Sequence, residues 1–217
     1  SGKLEKGPGM DFFDALKEKV PQLQEKQTDK AEGRQNAQKS DKVKQDKPGS
    51  RRLCIIAEDL GNNTPENEKL LEDTGFPGMK VLQYGFTSWD SYYVNHRHIR
   101  NCVVYTGTHD NTPSLAWFNE INDGQRDFAR RYINSMNTNE GAFVWDFIRE
   151  AYRSVADLCI IPLQDYLCLG KEARINMPGA AEGNWQWRLK KNFLSEELSN
   201  SIRQLSEVYS RIPQNPS

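Results

Sequence analysis

The sequence predicts an α/β fold built on a parallel sheet, and three observations carry that expectation. Short apolar runs without polar alternation recur: LCII in Leu53–Gly61, KVLQY after Met79, CVVYTGT from Cys102 and LCIIPL from Leu158. Such runs read as strands buried on both faces, as in parallel sheets covered by helices. Stretches with helical periodicity separate them, so strands alternate with helices. Each run also ends in polar groups: Glu58 and Asp59, Gln83 and Tyr84, His109 with Asp110 and Asn111, and Gln164 with Asp165. Four polar strand exits suggest one shared cleft, because barrel enzymes keep their chemistry where strands leave the core.

In chain order, Gly7 to Val20 places Phe12, Phe13, Leu16 and Val20 at helical spacing behind a Pro-Gly start. From Gln24 to Arg52 the only aliphatic residue larger than alanine is Val43. That stretch has too little apolar surface to offset its ordering entropy and reads as a disordered insertion or long surface loop. Residues 21–52 carry nine basic and five acidic side chains but no aromatic residue to stack on bases, which favours a solvated linker over a nucleic-acid contact. The apolar run Leu53–Gly61 then reads as the first strand, delivering Glu58 and Asp59 to its exit.

Thr64 and Pro65 form a helix start, Glu66 and Glu68 suit the positive end of the helix dipole, and Gly75 with Pro77 closes it. A strand from Met79 to Phe86 follows. The loop Thr87 to Arg100 then crowds Trp89, Tyr92, Tyr93, His96 and His98 together, residues that either stack on flat ligand faces or pack back on the protein. Periodicity returns in Leu115–Ile121, Phe128–Met136 and Phe143–Leu158. The last helix, Glu196 to Arg211, starts after Ser195 and aligns Leu198, Ile202, Leu205 and Tyr209.

Composition excludes several classes. With 217 residues the chain is long enough for a sizeable core, and 36% hydrophobic residues leave part of it outside that core. A net charge of -1 gives no global attraction to nucleic acid or anionic membrane. No apolar run approaches the roughly 20 residues that cross a bilayer, and the first residues lack the apolar centre of a signal peptide, so a cytoplasmic protein is expected. Cys54, Cys102, Cys159 and Cys168 show no CxxC spacing and read as buried thiols in a reducing compartment.

Glu58 and Asp110 are the carboxylates to weigh. Cleaving a glycosidic bond needs a protonated carboxyl for the departing oxygen and a further carboxylate to meet positive charge on the sugar. Burial at a strand end raises a glutamic acid's pKa enough to hold such a proton. Helix capping or an ion pair accounts for Glu58 equally well. THDN, residues 108–111, gathers donors and acceptors suited to ring hydroxyls, and a turn built on Asp and Asn hydrogen bonds is the competing reading. His109 has no second His or Cys at ligand spacing, so no metal site is expected. The Gly-rich segment 173–189 lacks the lysine and spacing of a phosphate loop. Its Asn176, Trp185 and Trp187 form either a cleft wall or an anchor at the end of the fold.

GPGMDFFDAL, IIAEDLG, GFPGMKVLQYGF, NCVVYTGTHDN, IPLQDYLCLG and EARINMPGAAEGNWQWRL, in this order, resemble the C-terminal half of bacterial 4-alpha-glucanotransferases. These are also called amylomaltases or disproportionating enzymes, glycoside hydrolase family seventy-seven. The resemblance covers nearly everything except Gln24–Arg52. It implies the C-terminal half, strands five to eight, of a (β/α)8 TIM barrel. Residues 1–20 would be the helix preceding strand five, 21–52 a disordered polar insertion and 53–217 the half barrel. By the same resemblance Glu58 matches the general acid/base, Asp110 the carboxylate that binds and distorts the sugar, and His109 a sugar-binding histidine. Asn111 and Asn176 join them as substrate contacts. The implied reaction transfers α-1,4-glucan segments between maltodextrins by retaining double displacement, with no cofactor.

The sequence departs from the family pattern in three places. The nucleophilic aspartate belongs to a motif reading like R-I-D-H, which is missing from this chain; Asp11 and Asp14 fall on a helix and are no substitutes. The polar tract between Val20 and Leu53 is foreign. Thr112 and Pro113 stand where an Asp-Thr pair is common. The chain alone is therefore expected to be inactive, with self-association through unpaired strand edges. Two alternatives stand beside transfer: a truncated product that binds glucan weakly, and an α-glucan hydrolase.

Overall fold

The computed structural model describes residues 7–19, 55–61 and 64–212. They fall into two compact units, divided between Pro77 and Gly78. The expected insertion 21–52 lies outside the described residues, as do Leu53 and Cys54.

The first unit holds helices α1 (Met10–Lys19) and α2 (Pro65–Thr74). α2 forms where its end signals place it. The Thr64 hydroxyl accepts from the Asn67 N–H at 3.3 Å, and Gly75 closes the helix at φ 68°, a left-handed turn that glycine enters without a Cβ clash. Phe13 of α1 meets Phe76 edge to face at 5.4 Å. The segment Ile55–Leu60 corrects the expected strand: it has no regular secondary structure and pairs in no ladder among the described residues, and a backbone bond runs from the Ala57 N–H to the Pro77 carbonyl at 3.0 Å. Apolar residues specify burial, whereas a strand also needs a partner supplying consecutive bonds. Ile56 is 41% exposed, against the expectation of burial on both faces, and Glu58 is exposed too.

The second unit contains a three-stranded parallel sheet in the order β1 (Gly78–Val81), β2 (Cys102–Tyr105), β3 (Leu158–Ile160). Gly78 pairs with Cys102 and Val103 with Leu158, so all three strands leave the core at one end. β1 is shorter than expected, because Leu82–Phe86 tightens into a 3₁₀ turn. Helices α3 (Ser114–Glu120), α4 (Asp123–Ile133) and α5 (Glu140–Arg153) separate β2 from β3. A short α6 (Leu163–Tyr166) follows β3, and α7 (Glu196–Val208) starts at the expected Ser195 cap. Among the described residues no helix is long and apolar enough to cross a membrane.

α5 is the spine of this unit. Phe143, Phe147 and Ala151 recur at four-residue spacing and are fully buried. Phe118 stacks on Phe143 at 3.7 Å and Trp117 on Phe147 at 5.0 Å, while Phe86 brings the end of β1 into the same cluster. Each buried aromatic contributes about 1.5–3 kcal/mol. The other face of α5, Val144, Ile148 and Tyr152, packs with Leu205 of α7. Arg211 donates to the carbonyls of Tyr152, Ser154 and Ala156, satisfying acceptors that the end of α5 leaves open. Cys102 is buried and Cys159 and Cys168 are partly so. All three are free thiols, and burial pushes Cys159 up to about 11, which keeps it protonated and unreactive near neutrality.

Candidate active site

The exit of β2 makes a tight turn in which the four residues of THDN divide their labour. Asn111 Oδ1 accepts from the Thr108 N–H at 2.9 Å and from its hydroxyl at 2.8 Å, while Asn111 Nδ2 donates to the Tyr84 hydroxyl at 3.0 Å. Thr108 and Asn111 therefore build the turn. His109 and Asp110 occupy its tip, with side chains 49% and 38% exposed. The turn reading of the motif is thus realised by Thr108 and Asn111, and His109 and Asp110 are left at the surface of that turn. Gly107 is needed behind the turn, because a Cβ there would come within 2.8 Å of Gln83 Nε2.

Two residues contact the Asp110 carboxylate. His109 Nε2 lies 3.3 Å from Oδ1, and Asn176 Nδ2 donates to the same oxygen. The Asn176 N–H also donates to the His109 carbonyl at 3.2 Å, locking the 174–176 segment against the turn. Arg174 completes the clamp. Its Nη2 donates to the Asp110 carbonyl at 2.7 Å and its Nε to the Asn176 carbonyl at 2.9 Å. Asp110 Oδ2 has no partner among the described residues and remains available as an acceptor. Sequence reasoning missed Arg174; its signal was an arginine two residues before an asparagine in a segment with too little periodicity to orient it.

Next to the turn is a cavity of ≈ 140 Å³, lined in part by His109, Asn111, Thr112, Gln164, Asp165 and Arg174. The exits of β2 and β3 therefore meet at one cavity, whereas Gln83 and Tyr84 at the exit of β1 do not line it. Gln83 donates to the Thr112 carbonyl at 3.0 Å and to the Ser114 hydroxyl at 3.3 Å. Asp165 sits at the centre of the cluster, almost fully buried. It accepts from the Ser114 N–H at 2.7 Å, the Ser114 hydroxyl at 2.8 Å and the Thr106 hydroxyl at 2.5 Å. Burial raises its carboxyl above the usual range, and these three donors pull the other way. Asp165 thus caps the start of α3 from a distant part of the chain and holds β2, α3 and α6 together. The Thr112 hydroxyl is buried without a partner among the described residues, a donor and acceptor beside the cavity.

The Gly-rich segment after Asn176 folds back over the turn. Asn184 accepts from the Met177 N–H at 2.9 Å and donates to the Ala180 carbonyl at 3.0 Å, closing the loop. Trp185 then packs its indole on His109, with ring centroids 5.1 Å apart and 36° between planes. Glu58 belongs to the first unit and Asp110 to the second. Among the described residues no cluster of three His, Cys, Asp or Glu side chains suits a metal ion.

Comparison with known proteins points in one direction. A family model for 4-alpha-glucanotransferase matches residues 1–194. The 4-alpha-glucanotransferase of Clostridium butyricum is 36% identical over 212 residues, covering 97% of this chain and 37% of that protein. The enzyme of that name from a Synechocystis species is 44% identical over 161 residues, covering 73% of this chain and 32% of its own length. Amylomaltase from Streptococcus agalactiae, solved in complex with acarbose, is structurally similar with a TM-score of 0.77 at 29% identity, covering 96% of this chain and 36% of that one. The chain spans about a third of the length of these relatives. It belongs to the 4-alpha-glucanotransferase family.

Proposed function

We propose that this chain supplies one side of the sugar site of a cytoplasmic enzyme that moves α-1,4-glucan segments between maltodextrins. The observation that carries this reading is Asp110, held at the turn tip by Asn176 and His109 with Oδ2 free. In the reaction, Glu58 protonates the departing glycosidic oxygen and then takes the proton of the incoming sugar's 4-hydroxyl. Asp110 accepts from ring hydroxyls and strengthens those bonds as positive charge spreads over the flattened sugar. His109 and Asn176 orient that carboxylate, and Asn111 acts through the turn it builds. The nucleophilic aspartate comes from residues outside this sequence, completing a (β/α)8 barrel of which this sheet is a part. Transfer then proceeds through a covalent glucosyl intermediate, with no cofactor. Alone, the chain is inactive and self-associates through its open strand edges.

The test is a hybrid in which this chain replaces the segment it matches in the Clostridium butyricum enzyme. Given maltotriose, the folded hybrid should yield glucose and maltodextrins longer than the substrate, and Glu58→Gln should abolish both. Glucose without longer products would mean hydrolysis, and transfer that survives Glu58→Gln would remove Glu58 from the mechanism.

A further inference from the structure

Trp185 has a placement that the chemistry above does not use. Its backbone is left-handed at φ 63°, a conformation that disfavours bulky side chains and is retained when the surroundings impose it. Three contacts do so. The Trp185 N–H donates to the Ile175 carbonyl at 2.8 Å, Arg188 donates to the Trp185 carbonyl at 3.0 Å, and Asn184 closes the loop immediately before it. The result is an indole fixed with one face against His109 yet still 57% exposed. A tryptophan placed only to fill space would bury most of its area.

We propose that the outer face of Trp185 is a stacking platform for a pyranose ring of the glucan, next to the ring that meets Asp110. This rests on the sugar-site reading of Asp110. The apolar C–H face of a glucose unit matches a flat indole, and a side chain already immobilised loses little entropy when the sugar arrives. Trp185 rests on His109, the chain neighbour of Asp110, so a glucan lying on the indole is within reach of the Asp110 carboxylate. Ligand class and position are therefore both set: an α-glucan of at least two units, contacting carbon-bound hydrogens at Trp185 and hydroxyls at Asp110.

Titration calorimetry with maltoheptaose tests the platform in the Clostridium butyricum hybrid, made inactive by Glu58→Gln so that the sugar stays intact, with Trp185→Ala, Trp185→Phe and Asp110→Asn each added to that parent. Trp185→Ala should weaken binding about tenfold, and Trp185→Phe, which keeps a ring, should stay within about threefold. Binding unchanged in Trp185→Ala but weakened in Asp110→Asn would overturn the platform and leave the sugar site intact. An equal loss in the Ala and Phe variants would assign the effect to indole-specific support of His109 and overturn the platform too. No binding by the parent hybrid would overturn both readings.

Discussion

Arg174 holds Asp110 by its backbone carbonyl and not by its carboxylate. Nη2 donates to the Asp110 carbonyl at 2.7 Å, while Nε of the same guanidinium donates to the Asn176 carbonyl at 2.9 Å. One rigid fork therefore fixes the spacing of the two residues whose side chains share a hydrogen bond, and leaves the carboxylate oxygens out of the guanidinium's reach. An arginine bound directly to the carboxylate would have occupied the oxygens assigned to a sugar in the proposed function.

Removing that fork is expected to loosen the site. Arg174→Met deletes both bonds and should cost about 2 kcal/mol, lowering the melting temperature by roughly 4–8 °C. Maltoheptaose affinity should fall with it, because Asn176 is no longer held against Asp110. Arg174→Lys can restore one bond and should recover part of each loss. Melting curves and calorimetry on the three proteins check this; unchanged values in Arg174→Met would dismiss the clamp.

Asp165 gives a sharper stability test. Its two oxygens accept from two hydroxyls and a backbone N–H, all buried. Asp165→Asn is nearly isosteric but turns one acceptor into a donor facing a donor, so urea unfolding should show a loss of about 2–4 kcal/mol. A change within about 0.5 kcal/mol would mean that the carboxylate does not organise the strand exits.

His98 sets an acid dependence. It is buried between the Ser154 hydroxyl at 2.7 Å and the Tyr93 carbonyl at 3.0 Å, and burial lowers it to about 4. In the unfolded chain its pKa is about 6.5. The native ring therefore stays neutral while the unfolded chain gains a proton, so its contribution is intact above pH 6.5 and is lost as the pH falls toward 4. The loss reaches at most about 3 kcal/mol. Urea midpoints at pH 7.5, 6 and 5 should drop more steeply in the parent than in His98→Gln; parallel slopes would rule the residue out.

Much of this arrangement was legible where the determinants are local. The Thr64 and Ser195 caps act three residues along the chain, Gly75 ends α2 through its own backbone, and the α5 periodicity is visible within two turns. Glu58 shows the limit. An apolar run looks the same whether or not a partner strand pairs with it, and Ile55–Leu60 proved unpaired. Gln83, Gln164 and Asp165 were readable as polar strand exits, but not as a buried cluster, because Asp165 caps a helix 51 residues upstream. At THDN the alternatives of turn and ligand site could not be separated by composition. Only the geometry shows that Thr108 and Asn111 build the turn and that His109 and Asp110 stand exposed at its tip, where the proposed ligand site lies.

The most direct measurement is the steady-state rate of maltotriose disproportionation by the Clostridium butyricum hybrid carrying Asp110→Asn. The substitution keeps the size of the side chain while removing its charge. If Asp110 stabilises the transition state, kcat should fall by about a thousandfold or more with KM changed far less. A kcat within about tenfold of the parent hybrid would show that the carboxylate at the turn tip is not part of the chemistry.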